Sequence, residues 1–594
     1  MRGLTTEPYS AGQSPRQPAG AFFFTATTGS DMTGAEIVLE ALQREGVDRI
    51  FGYPGGANLP IYQQLPKYPK LQHVLVRHEQ GAAHMADGFA RAGGRPGVVF
   101  ATSGPGALNT ITGLCTAYMD SVPVVAITGQ QNTNLVGRDA FQESDVIGCS
   151  MPVTKHNYMV KRVEDVARVI HEAFHIATTG RPGPVLIDIC KDVQQASCEP
   201  VWPEEIELPG YRPAFAPDLS KVEEAAAALT RAERPVILAG HGVILSGGEE
   251  ELIEVAEKSV TPTGTTLLGV GAFPVRHPLS LHMTGFMGTG WNLKAVQNAD
   301  LLMMVGMRVD DRVTAKLSEW APKVETFIHI DIDPSEMGKN VRPHLEVVAD
   351  AKTALAAMLP CVGAPQPASR RSWLTQIDRW REEHPLKYVR SNGHMQPQDV
   401  MIEMYRRCDN DAIVVADVGQ NQIWAALWWN YTRPGLFINS GGAGTMGFAF
   451  PAAIGAKMAR PDKAVWCVAG EGGFVMTAQE LSVAVRHQLD VKVVLLNNFS
   501  LGMVRQFQDD FYGGVRSEVD LSEMPDFVKL ADAYGLRGIR VETVEQIKPA
   551  FDFAERTAGP VLIDFRIDPD ANVYPIVPLG RGLNDFWELP DEYA

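Results

Sequence analysis

VLVRHEQGAAHMADGFARAGGRPGVVFATSGPGALN, residues 74–109, is the stretch whose reading decides the fold. Its apolar opening, Val74-Leu75-Val76, reads as a buried strand that delivers Arg77-His78-Glu79 to its carboxyl end. Ala82, Ala83, Met85, Ala86, Phe89 and Ala90 then recur at helical spacing. A second strand, 97–101, empties into Thr102-Ser103-Gly104-Pro105-Gly106. Strand, helix and strand in that order form the unit of a parallel sheet, where ligands sit outside the carboxyl ends of the strands. Glu79 and the Thr-Ser-Gly-Pro-Gly loop are therefore expected to share one crevice. A carboxylate there, backed by apolar residues, is placed to have a shifted pKa and to handle a proton. Read alone, Glu79 serves equally well as a helix cap, and Gly104 and Gly106 as turn formers.

The same alternation continues outward from this stretch. Short apolar runs at 122–128 and 185–189, then 235–239, 301–305 and 327–332, and finally 413–416, 464–468, 491–496 and 561–565 are each separated by helical stretches. Two segments break the rhythm. Residues 199–220 carry five prolines and no periodicity, and 363–372 (GAPQPASRRS) is a second Pro- and Ser-containing break. The expected fold class is α/β, with three doubly wound parallel-sheet domains at 32–198, 221–362 and 395–567. They are joined by linkers at 199–220 and 363–394. Residues 1–31, rich in Gly, Ser, Thr and Pro, read as a disordered leader, since the Arg-rich amphipathic pattern of a transit peptide is poor. The proline- and aromatic-containing tail, 568–594, is expected to fold over a site or a neighbour.

Bulk properties narrow the function classes. The chain of 594 residues has 53 basic against 70 acidic residues, a formal charge of −17, and no concentrated Lys/Arg run. No face suited to nucleic acid is implied, and anionic membranes repel such a chain. No apolar run reaches the length of a membrane span. The seven cysteines form no CxxC pair and are odd in number, which suits reduced thiols in a cytoplasmic compartment better than a disulfide framework.

Chemistry has a second place to sit, in the third unit. The run 464–468 ends in Gly470-Glu471-Gly472-Gly473, and 491–496 ends in Asn497-Asn498-Phe499-Ser500. One strand–helix–strand crossover separates Glu471 from Asn498, so both emerge at the same sheet edge. A carboxylate, an amide oxygen and a backbone carbonyl are hard oxygen ligands of the kind Mg²⁺ takes alongside substrate phosphates. Gly470, Gly472 and Gly473 let backbone N–H groups approach a diphosphate; by itself a GEGG run is as readily a turn plus a helix cap. Val418-Gly419-Gln420 and the small-residue loop 440–447, which includes Gly444 and the bulkier Met446, add donors to that edge.

These residues resemble the thiamine diphosphate enzymes, and most closely the family of acetohydroxyacid (acetolactate) synthase large, catalytic subunits. The resemblance runs from Thr33 to about Leu583 through segments such as FGYPGGANLPIY, RHEQGAAHMADGFARA, TSGPGALN, TTGRPGPVLID, VGMRVDDRVTAKL, SGGAGTMGFAFPAAIGA, GEGGFVMTAQEL and LLNNFSLGMVRQF. It implies thiamine diphosphate, Mg²⁺ and FAD as cofactors, and joining of a two-carbon unit from pyruvate to pyruvate or 2-ketobutyrate in branched-chain amino-acid synthesis. By position it implies that Glu79 sets the tautomer of the cofactor's aminopyrimidine, that Glu471, Asn498 and the backbone of Ser500 hold Mg²⁺, and that Met446 props the cofactor. Tyr53, Gly55, Asn109, Val418, Gly419, Gln420, Asn421, Gly444, Gly470, Gly472, Gly473, Met503 and Val504 match its other thiamine-site positions. Gly240, Gly242, Thr266, Leu267, Arg308, Asp331, Ile332 and Asp350 match the FAD-binding segments. Arg312 matches both an FAD position and the receiver of the acceptor carboxylate, with Phe141 and Gln142 as substrate-pocket positions; without the resemblance, Arg308 and Arg312 read as surface cations. It further implies a homodimer or tetramer, because Glu79 and Glu471 meet across a subunit interface in this family, and a regulatory small subunit as partner. A sister enzyme such as sulfoacetaldehyde acetyltransferase, or a pyruvate oxidase, is the alternative.

Three departures stand out. Glu471 replaces the usual metal Asp, Phe507 stands where many members carry a Trp that favours 2-ketobutyrate, and Met287 and Asn421 replace histidines. Phe507 fills less of a pocket than Trp, which puts the acceptor preference in question.

Overall fold

In the computed structural model, residues 31–213, 216–365, 367–389, 393–408 and 411–591 are described. The expected leader at 1–31 lies outside them but for Asp31. Three six-stranded sheets, every pairing parallel, carry helices on their faces. Their strands read as continuous apolar runs because parallel sheets are buried on both faces: all residues of Val185–Cys190, Leu301–Val305 and Val465–Ala469 are buried.

Strand order separates the units. Counting each sheet's strands in chain order, the first (Arg49–Gly52 to Val185–Cys190) and third (Ile413–Ala416 to Val561–Arg566) both run 2-1-3-4-6-5. The middle sheet, Pro235–Ala239 to Leu345–Val348, runs 3-2-1-4-5-6, the order of dinucleotide-binding folds. The first and third units are thus topological repeats of one another, and the middle one is a different fold inserted between them.

The outer units meet through two helices. Glu79–Gly93 packs on Ala449–Ala459 with backbones nearly touching: a Cβ on Gly88 would lie 2.0 Å from the Ala452 carbonyl oxygen, and one on Gly455 would lie 1.9 Å from that of Met85. Only glycine permits this approach. Gly88→Ala is expected to lower unfolding free energy by about 1–3 kcal/mol, as overpacking does, read as a drop in denaturant midpoint; an unchanged midpoint would mean that the helices separate without penalty.

Two sequence readings are corrected. The expected linker at 363–394 contains a 17-residue helix, Pro367–Glu383. It is docked on the middle unit, where the buried Arg370 donates to the carbonyls of Ser259 (3.1 Å) and Leu229 (2.8 Å), and Trp373 donates its indole N–H to Pro235 (3.1 Å). Strand ends also shift: the opening strand is Gln72–Leu75, so Val76 and Arg77 already belong to the turn. Between Cys198 and Leu219 the described residues form no helix or strand. The tail folds back, burying Val577 and Leu583 against the middle unit and pairing His384 Nδ1 with the Glu588 carboxylate at 2.8 Å. Among the described residues no helix is long and apolar enough to cross a membrane.

Candidate functional site

Glu79 is the first residue of its helix, directly after the strand-to-helix turn, and 9% exposed. Asn109 Nδ2 donates to its Oε2 at 3.0 Å, and a Cβ on Gly106 would sit 3.0 Å from its Oε1. The crevice shared with the Thr-Ser-Gly-Pro-Gly loop is therefore present, and Gly106 is small because the carboxylate is there. Around it, the Thr102 hydroxyl accepts from Ala57 N (3.2 Å), and a Cβ on Gly55 would strike the Thr102 side chain at 2.6 Å. Gln142 has φ +57° and its carbonyl closes on Gly104, while Tyr53 and Phe141 stand out into solvent, 40% and 83% exposed.

The opposite half is built on the third sheet. Glu471 opens a short helix after Val465–Ala469, and Asn498 follows the adjacent parallel strand, Val491–Asn497. Ser500 N donates to Glu471 Oε1 at 2.6 Å and to Asn498 Oδ1 at 3.2 Å, which brings the three expected metal positions together. Glu471 is buried, its Oε2 has no hydrogen-bond partner, and burial pushes its carboxyl up to about 7. A buried carboxylate oxygen without a partner calls for a cation. Among the described residues no three His, Cys, Asp or Glu side chains cluster as a metal cage; one carboxylate and one amide instead suit Mg²⁺ completed by phosphate and water oxygens.

The loops around this edge are fixed by Asp417 and by Gln420, at the end of the strand Ile413–Ala416. Asp417, fully buried, accepts from Val418 N (2.7 Å) and Gly447 N (3.0 Å), holding the loop at 417–419 to the loop at 440–447; a Cβ on Gly473 would strike its carboxylate at 2.9 Å. Gln420 points inward, donating to Gln506 Oε1 (3.0 Å) and Ala571 O (2.9 Å) and accepting from Asn498 Nδ2 (3.4 Å). Its side chain therefore orients Asn498. Met446 Cε lies 3.5 Å from where a Cβ of Gly472 would be.

A cavity of about 700 Å³ opens where the three units meet. The third unit contributes Val418, Gly419, Gly444, Met503 and Phe507, and the middle unit contributes Gly242, Thr266, Leu267, Arg308, Arg312, Asp331, Ile332 and Asp350. Its volume, the end of the strand Thr326–Asp331 and the dinucleotide-type strand order fit an FAD-sized ligand. Burial pushes the Asp331 carboxyl up to about 7. Arg312 lies over the Phe286 ring at 4.8 Å, is more than half exposed, and its Nε sits 3.9 Å from the exposed Asp311 carboxylate. Gly240 does not line this cavity: it packs beneath, where a Cβ would meet Gly306 O at 2.3 Å. One contact set ties all three units to the cavity wall. Arg91 donates to Asp120 Oδ2 (2.8 Å) and Asn439 O (2.9 Å), Asp120 accepts from Gly442 N (2.7 Å), and His241 Nδ1 donates to Asp120 O (2.9 Å).

Neither Glu79 nor its neighbours Asn109, Phe141 and Gln142 line this cavity, and Glu471, Asn498 and Met446 do not either. The described residues thus form a cluster around Glu79 on the first unit, a cluster around Glu471 on the third, and a cavity between the units. Of the positions expected to bind thiamine diphosphate, Gly470 caps the helix that Glu471 opens, where its Cβ would be 3.4 Å from Asn421 Nδ2, and Val504 lies in the helix Gly502–Phe511.

Comparison with known proteins agrees with this geometry. Residues 32–149 match the N-terminal TPP binding domain of thiamine pyrophosphate enzymes, 222–358 their central domain, and 417–565 their C-terminal TPP binding domain. The chain is 47% identical over 563 residues to an acetolactate synthase of Mycobacterium bovis, covering 93% of this chain and 91% of that protein. It is 44% identical to the acetolactate synthase isozyme 3 large subunit of Escherichia coli, covering 94% and 98%. A probable acetolactate synthase large subunit of Methanocaldococcus jannaschii is 46% identical, with 93% and 95% covered. The chain belongs to the thiamine pyrophosphate enzymes and, among them, to the acetolactate synthase large-subunit family.

Proposed function

We propose that the chain is the catalytic subunit of an acetolactate synthase that decarboxylates pyruvate and joins the remaining two-carbon unit to pyruvate or 2-ketobutyrate. The observation that carries this reading is the pair of half-sites: a helix-start carboxylate, Glu79, on one TPP binding unit, and a buried, half-partnered Glu471 beside Asn498 on the other. When bound, thiamine diphosphate supplies a nucleophilic carbon and an electron sink for the departing carboxylate. Glu79 holds or releases a proton at the cofactor's ring nitrogen, with Asn109 fixing the carboxyl rotamer. Glu471, Asn498 and the Ser500 backbone would hold Mg²⁺, and the Gly419, Gly444 and Gly470–Gly473 backbones would leave room for the phosphates of the cofactor. Arg312 receives the acceptor carboxylate, which a guanidinium fork suits. The cavity between the units would hold FAD, with Arg308, Thr266, Leu267 and Asp331 among its lining residues.

The reading pairs each Glu79 with the third unit of a second copy, as the resemblance to the family implies. The exposed large apolar side chains Tyr53, Leu108, Tyr118 and Phe141 on the first unit support coverage of this unit by a partner. The large-subunit names of the relatives support a regulatory small subunit as a further partner.

Acetolactate formed from pyruvate with thiamine diphosphate, Mg²⁺ and FAD tests the function; acetyl phosphate or hydrogen peroxide in its place would favour the oxidase reading. Acceptor choice tests the pocket. Phe507 lines the cavity, its ring 5.5 Å from that of Phe511. Phe507→Trp is expected to raise the 2-ketobutyrate preference in competition with pyruvate by about 10-fold or more, the scale on which one methylene is discriminated. An unchanged or lower preference would refute pocket filling as the basis of selection.

A further inference from the structure

Glu480 is a charged residue that the reaction outlined above does not use, yet it is completely buried, 0% exposed. It belongs to the third unit, at the end of a short turn, Ala478–Glu480, but its carboxylate reaches into the first. Arg77 N donates to its Oε1 at 3.0 Å and its Oε2 at 3.2 Å, and His78 N donates to Oε1 at 3.0 Å. These are the two residues immediately before Glu79. The first turn of the helix is cleared for the same carboxylate, since a Cβ on Gly81 would stand 2.5 Å from Glu480 Oε1. Burial pushes the Glu480 carboxyl up to about 7, and the two backbone donors oppose that shift. His78 completes the turn, its Nδ1 accepting from Gln80 N at 3.1 Å.

We propose that Glu480 is a positioning residue for Glu79: by accepting both N–H groups of the turn that starts the helix, it fixes where the Glu79 carboxyl points. This rests on the reading of Glu79 as the residue that meets the cofactor ring. The same short segment, 471–480, begins with the metal carboxylate. One unit therefore holds its own metal with Glu471 and, with Glu480, aims the Glu79 that its chain contributes to the opposite site. A change in the segment at either end is felt by both. An unpaired buried N–H destabilises the conformation that leaves it unpaired, so losing the acceptor frees the turn rather than the whole helix.

The test uses the full chain with thiamine diphosphate and Mg²⁺ and three variants, Glu480→Ala, Glu480→Gln and Glu79→Gln. Amide hydrogen exchange at Arg77 and His78, measured without cofactor, is expected to rise about 10-fold or more in Glu480→Ala, the scale of one lost buried hydrogen bond. With cofactor, the circular dichroism band reporting the aminopyrimidine tautomer is expected to change in the same direction as in Glu79→Gln. Cofactor affinity is expected to fall less than about 3-fold, because the diphosphate and metal are held elsewhere. Glu480→Gln keeps one acceptor oxygen and is expected to lie between wild type and Glu480→Ala on both readouts; it carries the test should the alanine variant not fold. A tautomer band altered by Glu79→Gln but untouched by either Glu480 variant would overturn the positioning role. A band untouched by Glu79→Gln would overturn the reading of Glu79 beneath it.

Discussion

Glu79→Gln is expected to lower acetolactate formation by about 10²- to 10⁴-fold, the contribution of a positioned proton-transfer group, with the fold and FAD binding retained. The substitution is nearly isosteric. Its amide carbonyl can keep the 3.0 Å bond from Asn109 Nδ2, so the side chain has no reason to leave its place. What it loses is the ability to share a proton with a ring nitrogen: a carboxyl gives up or takes a proton, whereas an amide N–H keeps its own. The effect should appear in kcat, with the apparent affinity for thiamine diphosphate little changed, because Glu79 contacts neither the metal residues nor the diphosphate loops. A fall in cofactor affinity with kcat preserved would make Glu79 a binding group rather than a proton-handling one.

Glu471→Ala acts at the opposite end. It removes the only carboxylate of the proposed metal set and leaves Ser500 N–H without its 2.6 Å acceptor. Mg²⁺ affinity is expected to fall by about 100-fold or more, since even loss of an outer partner of a metal ligand costs 10- to 100-fold. Thiamine diphosphate binding should fall with it and be partly restored by high Mg²⁺. Following cofactor binding across an Mg²⁺ titration checks this; an unshifted titration would remove Glu471 from the metal site. FAD should bind as in wild type, because its cavity is lined by other residues.

The parts of the molecule that the sequence discloses share a physical cause. Parallel strands are apolar on both faces, so runs such as Leu301–Val305 and Ile413–Ala416 announce themselves within a few residues. Site residues at strand ends follow directly from the runs before them, as Glu471 and Asn498 do. Chain reading fails where a tertiary partner decides. The helix Pro367–Glu383 begins in a Pro- and Ser-containing stretch that locally reads as linker; Pro is tolerated at a helix start, and the helix is held in place by Arg370 and Trp373 bonding to a distant unit. Asp120 and Glu480 escape for the same reason. Each looks like an ordinary acid in sequence, and its role comes from backbone N–H groups that arrive from elsewhere in the chain. A buried acid whose partners are backbone donors leaves no periodicity or motif spacing of its own. For Glu480 the only local trace is Gly81, a glycine in the first turn of a helix, where glycine is otherwise unfavourable.

Two half-sites in one chain raise the question of which halves combine, and subunit complementation answers it. Glu79→Gln and Glu471→Ala chains, each inactive alone, are co-expressed with different affinity tags, and dimers carrying both tags are isolated. If each site takes Glu79 from one copy and Glu471 from the other, every hybrid dimer has one fully wild-type site and one doubly defective site. The purified hybrid should then form acetolactate at about half the wild-type rate. Hybrids as inactive as either parent would show that Glu79 and Glu471 act within the same chain, and would contradict the composite site.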